Sequence, residues 1–410
     1  MNMGGRQLAK VAAVLGAGIQ GCCAALALRQ LGFRVRLYDK SSALMNHASV
    51  NQEGKIHLGF VYARDESLVT ARTMIEHALR FAPALESLIG ATMEWEPHLS
   101  ERFHCGIHRD SSLTMDEHVA HFNALEGIYQ EVSDDRSLHY LGRRPTRIWS
   151  MDTPFRFSGS SLLHAVRSEE TAVHPGWMRH VMVTAVEQDP EIATFVRHDV
   201  EQVENTGGTF TISGTNVDGA WRSTADVVVN CLWEGQHRID RALRRDRSPD
   251  WITRVKYGFM LDSTPELRDL PSLIITHGPF GDIVNFPRDN ALYITWYPAC
   301  LAYIGEADRL PDAWEAACEG HHPPDLPRRI LEDSVAHLAE YVPQLKELKL
   351  RQIMAGSIMA NGKTDISDRE SGLHRRHGIG VDASDGYYSV FTGKYTSGPA
   401  NAIELRRMLA

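Results

Sequence analysis

The chain has 410 residues, of which 43% are hydrophobic and 23% are charged. This composition is typical of a folded globular protein of about two domains, and it excludes collagen-like, disordered and strongly charged classes. The formal net charge is −9 and the two signs are interspersed, so we do not expect a nucleic-acid partner.

Apolar runs and cysteines indicate the compartment. No run of 18 or more apolar residues and no export signal is present, so we expect a cytoplasmic protein that is not an integral membrane protein. The six cysteines are scattered and are expected to be reduced and mostly buried. His104, Cys105 and His108 could form part of a metal site, as could His118 and His121. Neither group has a second set of ligands at matching spacing, so no metal site is predicted. The basic runs at 241–247 and 374–377 are interpreted as solvated surface.

The first predicted elements form a β-α-β unit. A short apolar run at Val11–Leu15 predicts a buried strand, Gln20–Leu31 predicts a helix, and Arg34–Tyr38 predicts a second strand. Between the first strand and the helix lies a Gly-x-Gly-x-x-Gly motif formed by Gly16, Gly18 and Gly21. This strand-turn-helix context makes the motif a strong indication of a dinucleotide site.

Each part of this unit has a physical role in such a site. Gly16 permits the tight turn, Gly18 lets the backbone approach a pyrophosphate, and Gly21 lets the helix and strand pack closely. The helix N-terminus at Ile19 and Gln20 offers N–H groups to the phosphates. Asp39, at the end of the second strand and followed by Lys40, is placed to bind a ribose diol. The unit alone does not distinguish NAD from FAD.

The remaining elements follow in chain order. Helical spacing covers 67–89, with a kink or restart expected at Pro83, whereas 90–148 has no clear period. Further predicted elements are a helix at 175–186, strands at 194–196, 209–212 and 227–229, an antiparallel meander at 251–297, mainly helix at 324–348, a strand at 387–391 and a final helix at 399–408. The meander implies a second domain.

With these elements in place, the sequence resembles the D-amino-acid-oxidase-like superfamily of FAD-dependent oxidoreductases across nearly its whole length. The block Asn51–Tyr62 resembles the segment beside the flavin, and it is most similar to the Gly-x-Ile-His-x-Gly-x-x-Tyr version of L-2-hydroxyglutarate dehydrogenases. The resemblance implies that Gly54 and Ile56 contact the cofactor and that His57 is a catalytic base near the flavin. Where the family often has a small hydroxyl residue before the glycine, this chain has Glu53.

Two later blocks extend the resemblance. In the third, from 173 to 231, Val200 corresponds to the residue whose backbone meets adenine, and Cys231 ends the returning strand; Leu232-Trp233 replaces the small residue and glycine usual there. The fourth resembles the C-terminal flavin loop, which implies flavin contacts from Gly393, Lys394, Tyr395, Thr396 and Ser397. Lys394 would also stabilise negative charge on reduced flavin. Ala355–Met359 lacks the arginine with which amino-acid-oxidising members clamp a substrate carboxylate.

The resemblance implies a glutathione-reductase-like Rossmann FAD domain and an antiparallel-sheet α+β substrate domain. We assign 1–90, 150–235 and 350–410 to the FAD domain, and 91–149 and 236–349 to the substrate domain. The expected function is removal of a hydride from a carbon bearing OH or NH of a small molecule (a 2-hydroxy acid, amine or amino acid), with non-covalent FAD as acceptor. The substrate and the electron acceptor stay open. The alternatives are a nicotinamide-dependent dehydrogenase and a flavin-binding accessory protein without turnover.

Overall fold

The computed structural model describes residues 9–151, 156–245, 251–278, 281–306, 308–362 and 371–410. The strands are β1 Val11–Leu15, β2 Arg34–Tyr38, β3 Lys55–Ile56, β4 Phe103–His108, β5 Trp149–Ser150, β6 Leu162–Ser168, β7 Thr171–Ala172, β8 Ile192–Phe195, β9 Asp199–Thr206, β10 Thr209–Asn216, β11 Gly219–Ala225, β12 Val227–Asn230, β13 Trp251–Asp262, β14 Ser272–Thr276, β15 Gly281–Phe286, β16 Ala291–Trp296, β17 Leu301–Glu306, β18 Leu350–Asn361, β19 Gly380–Ser384 and β20 Tyr387–Phe391. The α-helices are α1 Ile19–Gln30, α2 Val69–Ile89, α3 Met115–Ser133, α4 Pro175–Glu187, α5 Gln236–Ala242, α6 Tyr297–Cys300, α7 Asp312–Cys318, α8 Leu326–Leu338 and α9 Gly398–Leu409.

A parallel sheet carries the N-terminal unit. Its strand order is β19-β20-β12-β1-β2-β8, and only β19 runs antiparallel to its neighbour. Helix α1 is buried from Ile19 to Leu28, and its small alanine and cysteine side chains let it pack closely between neighbouring elements. The predicted β-α-β unit is confirmed. Because β1, β2 and β12 are parallel, their carboxyl ends, and with them Gly16, Asp39 and Cys231, meet at one edge of the sheet.

A larger, mainly antiparallel sheet carries the second part of the chain. The long strand β13 pairs with β18 on one side and with β17 and β16 on the other. The antiparallel strands predicted at 251–297 are confirmed, but the meander holds only for β14, β15 and β16, because β13 pairs with β16 rather than with β14. Strands β14 and β4 form its one parallel pair within the described residues. The predicted boundaries place 350–361 with the FAD domain, but β18 pairs with β13 along its length. No local pattern indicates this pairing, because the paired residues of β13 and β18 are far apart in the chain.

The strand predicted at 209–212 is part of a small sheet that the sequence analysis did not predict. Strands β9, β10 and β11 form an antiparallel three-stranded sheet, in which Gly207-Gly208 make the turn between β9 and β10.

Helix α2 differs from the prediction at Pro83. The helix continues unbroken through this residue. Proline cannot donate a hydrogen bond to the carbonyl of Leu79, but the backbone N–H of His139 does so at 3.2 Å. The lost hydrogen bond is therefore replaced from outside the helix, by a residue of the segment that the sequence left unassigned.

That unassigned segment, 90–148, contains β4 and α3. Helix α3 begins with a capping box between Thr114 and Glu117, and it packs against α2. The pattern was obscure because its buried face includes His118 and His121 among the apolar residues. Elsewhere, all six cysteines are free and buried, as predicted. None of the helices in the described ranges combines the length and apolar character that a membrane span requires.

Candidate functional site

A cavity of about 800 Å³ lies where the parallel sheet meets the antiparallel sheet. This volume is within the range of roughly 300 to 1,000 Å³ found for ligand and cofactor sites. It brings together most of the residues predicted from the sequence: Gly16, Gly18, Ile19, Gln20, Asp39, Lys40, His57, Cys231, Gly393, Lys394 and Tyr395. The dinucleotide motif and the C-terminal loop thus line one continuous space.

The glycine turn fits a bound dinucleotide. Gly16 has a φ of 91°, and a Cβ on it would lie 2.4 Å from the carbonyl oxygen of Cys231. A Cβ on Gly18 would lie 2.7 Å from Ser49 Oγ, and one on Gly21 would lie 1.7 Å from the carbonyl oxygen of Gly16. The N-cap Gly18 makes no side-chain cap of its own, and Ser49 Oγ accepts the first N–H of α1, that of Ile19, at 2.9 Å. The turn is thus too close-packed for side chains of its own and lines the cavity at the start of α1, which is the close backbone approach that pyrophosphate binding requires.

Asp39 lines the same cavity and organises the turn. Its Oδ2 accepts a hydrogen bond from the backbone N–H of Ala17 at 2.5 Å, and its Oδ1 accepts one from the N–H of Ser41 at 2.7 Å. Burial raises the pKa of this carboxyl above its ordinary value, although these two hydrogen bonds lower it. Asp39 therefore links the two loops at the carboxyl ends of β1 and β2.

Six predicted residues do not line the cavity: Gly21, Gly54, Ile56, Val200, Thr396 and Ser397. Gly54 has a φ of 81° and contacts Val173 so closely that a Cβ would lie 1.9 Å from its carbonyl oxygen. The carbonyl of Val200 accepts a hydrogen bond from Arg238 at 2.7 Å. Thr396 Oγ1 accepts a hydrogen bond from the backbone N–H of His57 at 3.1 Å, which joins the block Asn51–Tyr62 to the C-terminal flavin loop.

The end of the cavity at the C-terminal loop is rich in cations. Lys55 Nζ lies 3.0 Å from Asp282 Oδ1. Lys256 Nζ lies 3.7 Å from Glu53 Oε2. Burial tends to raise the pKa of Glu53, but Lys256, Lys55 and Lys394 outweigh it and lower the pKa to about 2. Glu53 is therefore ionised. Where the family often has a small hydroxyl residue, this chain has a carboxylate that pairs with Lys256 of β13.

Two further cations, Arg376 and Lys394, form no ion pair with a carboxylate in the part of the chain that the structure describes. Arg376 is 4% exposed; its backbone N–H donates to Thr70 Oγ1, its Nη1 donates to the carbonyl of Met359, and its Nε has no partner among the described residues. Desolvation, with repulsion from Arg376 next, lowers the pKa of Lys394 to about 7.

His57 is buried beside this cluster. Its Nδ1 has no hydrogen-bond partner among the described residues and lies 4.0 Å from Glu170 Oε1. Burial, followed by the charges of Lys394 and Lys55, holds the pKa of His57 well below its ordinary value. Burial raises the pKa of Glu170 to about 7. His57 is therefore a neutral imidazole at neutral pH.

The other end of the cavity, near Asp39, holds ion pairs. Lys40 Nζ lies 3.0 Å from Glu234 Oε1 and 2.7 Å from Glu315 Oε2. His47, Glu234 and Glu315 are close enough together to ligate a metal ion. However, Lys40 Nζ already lies between the two carboxylates and is paired with both, so we assign no metal site here.

Charged residues of the site that sequence reasoning missed include Lys55, Lys256, Glu315 and Arg376. The interpretation of the run at 374–377 as solvated surface is wrong for Arg376, which is buried and lines the cavity. The other basic run, 241–247, has Arg241 exposed, and its residues 246 and 247 lie outside the described part of the chain. Lys256 could have been found from the sequence, because it lies within the apolar strand predicted at 255–261. A buried lysine needs a partner of opposite charge, so its position indicates a charged site.

Known proteins share this fold and parts of this sequence. A segment of 51 residues is 43% identical to FAD-dependent monooxygenase FPY4 of Fusarium mangiferae. This segment is 12% of this chain and 14% of that protein. Among solved structures, glycine oxidase from Geobacillus kaustophilus matches with a TM-score of 0.66 and 13% identity over 97% of this chain and 94% of that chain. L-Proline dehydrogenase from P. horikoshii matches with a TM-score of 0.66 and 12% identity over 98% and 93%. L-Amino acid deaminase from Proteus vulgaris matches with a TM-score of 0.64 and 13% identity over 98% and 93%.

At 12% to 13% identity, the structural matches establish the fold alone. The assignment to a family depends on the match between this sequence and a family model. The family described as FAD dependent oxidoreductase (DAO) matches residues 12–397, nearly the whole chain. The motif turn, the cavity and the C-terminal loop fit the cofactor that this description names. The chain therefore belongs to the DAO family of FAD dependent oxidoreductases, and FAD is its cofactor.

Proposed function

We propose that this flavoenzyme oxidises a small carboxylate-bearing molecule, a 2-hydroxy acid or an amino acid, at the carbon that carries the OH or NH group. FAD, when bound, supplies the hydride acceptor of such a reaction. The protein residues bind and orient the substrate and accept its proton.

The observation that carries the proposal is the pair of cations without acidic partners, Arg376 and Lys394. Buried charges in proteins are generally paired, because desolvating a lone charge is costly. In the described residues, Glu53 and Asp282 offset Lys256 and Lys55. An anionic group of a ligand is therefore the natural partner of Arg376, and a guanidinium can bind a carboxylate through two parallel hydrogen bonds.

Lys394 has the pKa that a general base requires. With a pKa of about 7, a substantial fraction is the neutral amine at neutral pH, and it can accept the proton of a substrate hydroxyl or ammonium group. His57 is neutral as well, but its lowered pKa makes it the weaker base. We therefore assign proton acceptance to Lys394 and keep His57 as a cavity residue that contacts the reacting centre.

Both substrate classes remain in the proposal. The flavin-side block around His57 supports a 2-hydroxy acid. The structural relatives, named glycine oxidase, L-proline dehydrogenase and L-amino acid deaminase, support an amino acid. The family match favours either one over a nicotinamide-dependent dehydrogenase or an accessory protein without turnover.

The test is a substrate panel under anaerobic conditions, with bleaching of the flavin as the readout. The panel contains 2-hydroxy acids, amino acids of both configurations and sarcosine, each beside its decarboxylated alcohol or amine. We expect at least one acid to bleach the flavin, and its decarboxylated analogue to do so far more weakly. Arg376→Met should remove most of this preference, whereas Arg351→Met, which removes a surface ion pair with Asp262, should leave it intact. If no acid bleaches the flavin, or if the analogues do so equally well, the proposal fails.

The domain division belongs to the same proposal. We retain a glutathione-reductase-like FAD domain and an antiparallel-sheet substrate domain. Its supporting observations are the two separate sheets and the position of the cavity between them. The pairing of β18 with β13 moves 350–361 into the substrate domain, and the pairing of β6 with β4 moves β6 there as well.

A further inference from the structure

Helix α7 and the turn before it, residues 308–319, lie against the loop that follows β2. We call residues 308–319 the clasp and residues 40–51 the cofactor loop. The clasp is reached from the antiparallel sheet through β17, whereas the cofactor loop begins at the carboxyl end of β2, directly after Asp39. Both segments line the cavity at the end near Asp39.

Glu319 is the main contact between the two segments. Its carboxylate accepts hydrogen bonds from Ser41 Oγ at 2.6 Å, Ser42 Oγ at 2.8 Å and Asn46 Nδ2 at 3.3 Å, and lies 2.7 Å from His47 Nε2. The hydrogen bond from His47, with burial opposing it, lowers the pKa of Glu319 to about 2. Glu319 is thus ionised and bound by most of the polar side chains of the cofactor loop.

The position of Glu319 at the end of α7 is unfavourable for a carboxylate. It is the C-cap of α7, where the helix dipole disfavours negative charge. The donors of the cofactor loop therefore compensate for a charge that the helix itself opposes.

Two more contacts extend the attachment. Glu315, one turn earlier in α7, lies 2.7 Å from Lys40 Nζ and 3.5 Å from His47 Nδ1. Asn51 Nδ2 donates to the carbonyl of Cys318 at 3.1 Å. The clasp is therefore bound to both ends of the cofactor loop and to its middle.

The cofactor loop in turn fixes the glycine motif. Ser49 Oγ accepts a hydrogen bond from the backbone N–H of Ile19 at 2.9 Å, at the first residue of α1, and it occupies the space beside Gly18. A displacement of the cofactor loop would therefore move the group that meets the pyrophosphate-binding helix N-terminus.

We propose that the clasp is a part of the FAD site, and that Glu319 is a positioning residue that retains FAD by holding the cofactor loop against the start of α1. The antiparallel-sheet part of the chain thereby contributes to cofactor binding at the end distant from Lys394. The inference requires FAD as the cofactor, but it is independent of the substrate proposed above.

The test is the rate at which FAD leaves the holoenzyme, followed by the fluorescence of released flavin after dilution. Glu319→Gln removes the charge and places an amide opposite Asn46 and His47. We expect FAD release to be about tenfold faster or more, as loss of hydrogen bonds to a charged group implies. The matched control is Glu332→Gln, which removes an exposed ion pair with Arg328 on α8 and should leave the rate unchanged.

A second variant and a second readout separate positioning from simple support of the fold. Ser42→Ala removes one partner of Glu319 at the surface and should speed FAD release several-fold without risk to folding. Thermal unfolding is compared with and without added FAD; for Glu319→Gln, the gain in melting temperature on adding FAD should shrink. The proposal is overturned if both variants release FAD at the rate of Glu332→Gln. It is also overturned if Glu319→Gln lowers the melting temperature equally with and without FAD, since Glu319 would then only stabilise α7.

Discussion

The ion pair between Glu53 and Lys256 allows a stability prediction that needs no substrate. The two side chains are 17% and 14% exposed, and Glu53 Oε2 lies 3.7 Å from Lys256 Nζ. Glu53→Gln keeps the shape of the side chain and leaves Lys256 without its carboxylate. Because breaking a buried pair leaves an uncompensated charge, we expect a destabilisation of about 3 to 5 kcal/mol.

Two routes from the structure lead to a similar magnitude. Coulomb's law with an effective dielectric constant of about 20 gives about 4 to 5 kcal/mol at 3.7 Å. The pKa of Glu53 falls from 4.5 to about 2, which corresponds to about 3 kcal/mol of stability at neutral pH. Because the pKa of an acid is lowered by folding, this stability is fully present above pH 4.5 and is lost as the pH falls toward 2.

The assay is denaturant unfolding of the holoenzyme at neutral pH and at pH values below 4.5. Glu53→Gln should be destabilised at neutral pH, and the difference from the unchanged protein should shrink on acidification. The control is the double variant Glu53→Gln/Lys256→Met, which removes both charges and should recover much of the loss. If Glu53→Gln unfolds at the same denaturant concentration as the unchanged protein, or if the double variant is no better, the charge argument for this end of the cavity is refuted.

Four further outcomes are expected. Acid precipitation should release FAD into the supernatant, because we expect no covalent bond; colour that stays in the pellet would direct attention to His47 and His57. Asp39→Ala should weaken FAD binding by about 1.5 to 3 kcal/mol while the fold survives, as measured by flavin titration; an unchanged dissociation constant would leave Asp39 as an organiser of the turn alone. At low concentrations of a panel substrate, where the pH dependence reports the free enzyme, flavin reduction should speed up as the pH rises through about 7, because Lys394 is a base only when deprotonated; at saturating anionic substrate the rise should lie at higher pH, and Lys394→Met should abolish it. His57→Asn should slow flavin reduction by a 2-hydroxy acid while the FAD spectrum stays nearly intact; joint loss of FAD and stability would identify His57 as a packing residue.

The nucleotide end of the site could be predicted because its signal is local. Gly16, Gly18, Gly21 and Asp39 lie on one β-α-β unit, and each residue type follows from backbone geometry or hydrogen bonding within that unit. The short segment around His57 likewise carried enough of a pattern to be compared with a family. In both places, neighbours in sequence are also neighbours in the structure.

The cationic end could not be predicted in this way, because its parts are distant in sequence. Lys256 comes from β13 and Asp282 from β15, and the pairing of the antiparallel sheet places both in it. Arg376 comes from the segment before β19, and its hydrogen bond to the carbonyl of Met359 holds it against β18. Arg376 was misinterpreted because a run of basic residues is usually solvated, and burial of one member depends on the packing around it. The absence of the family's arginine from Ala355–Met359 likewise concerned one sequence position, whereas a guanidinium can reach the same cavity from another segment.

The cation pairs also connect stability with binding. Glu53 and Asp282 form ion pairs with two of the four cations named at this end of the cavity, whereas Arg376 and Lys394 form none among the described residues, and the attraction of Glu53 offsets only part of the desolvation of Lys394. The lowered pKa of Lys394 is one consequence, because releasing its proton relieves the repulsion from Arg376. An anionic ligand would relieve the same repulsion by binding, so its binding should raise the pKa of Lys394 and take up protons near neutral pH. Without a ligand, the charges of Arg376 and Lys394 therefore lower the stability of the protein. The same charges make the binding of an anionic molecule in this cavity more favourable than that of a neutral one.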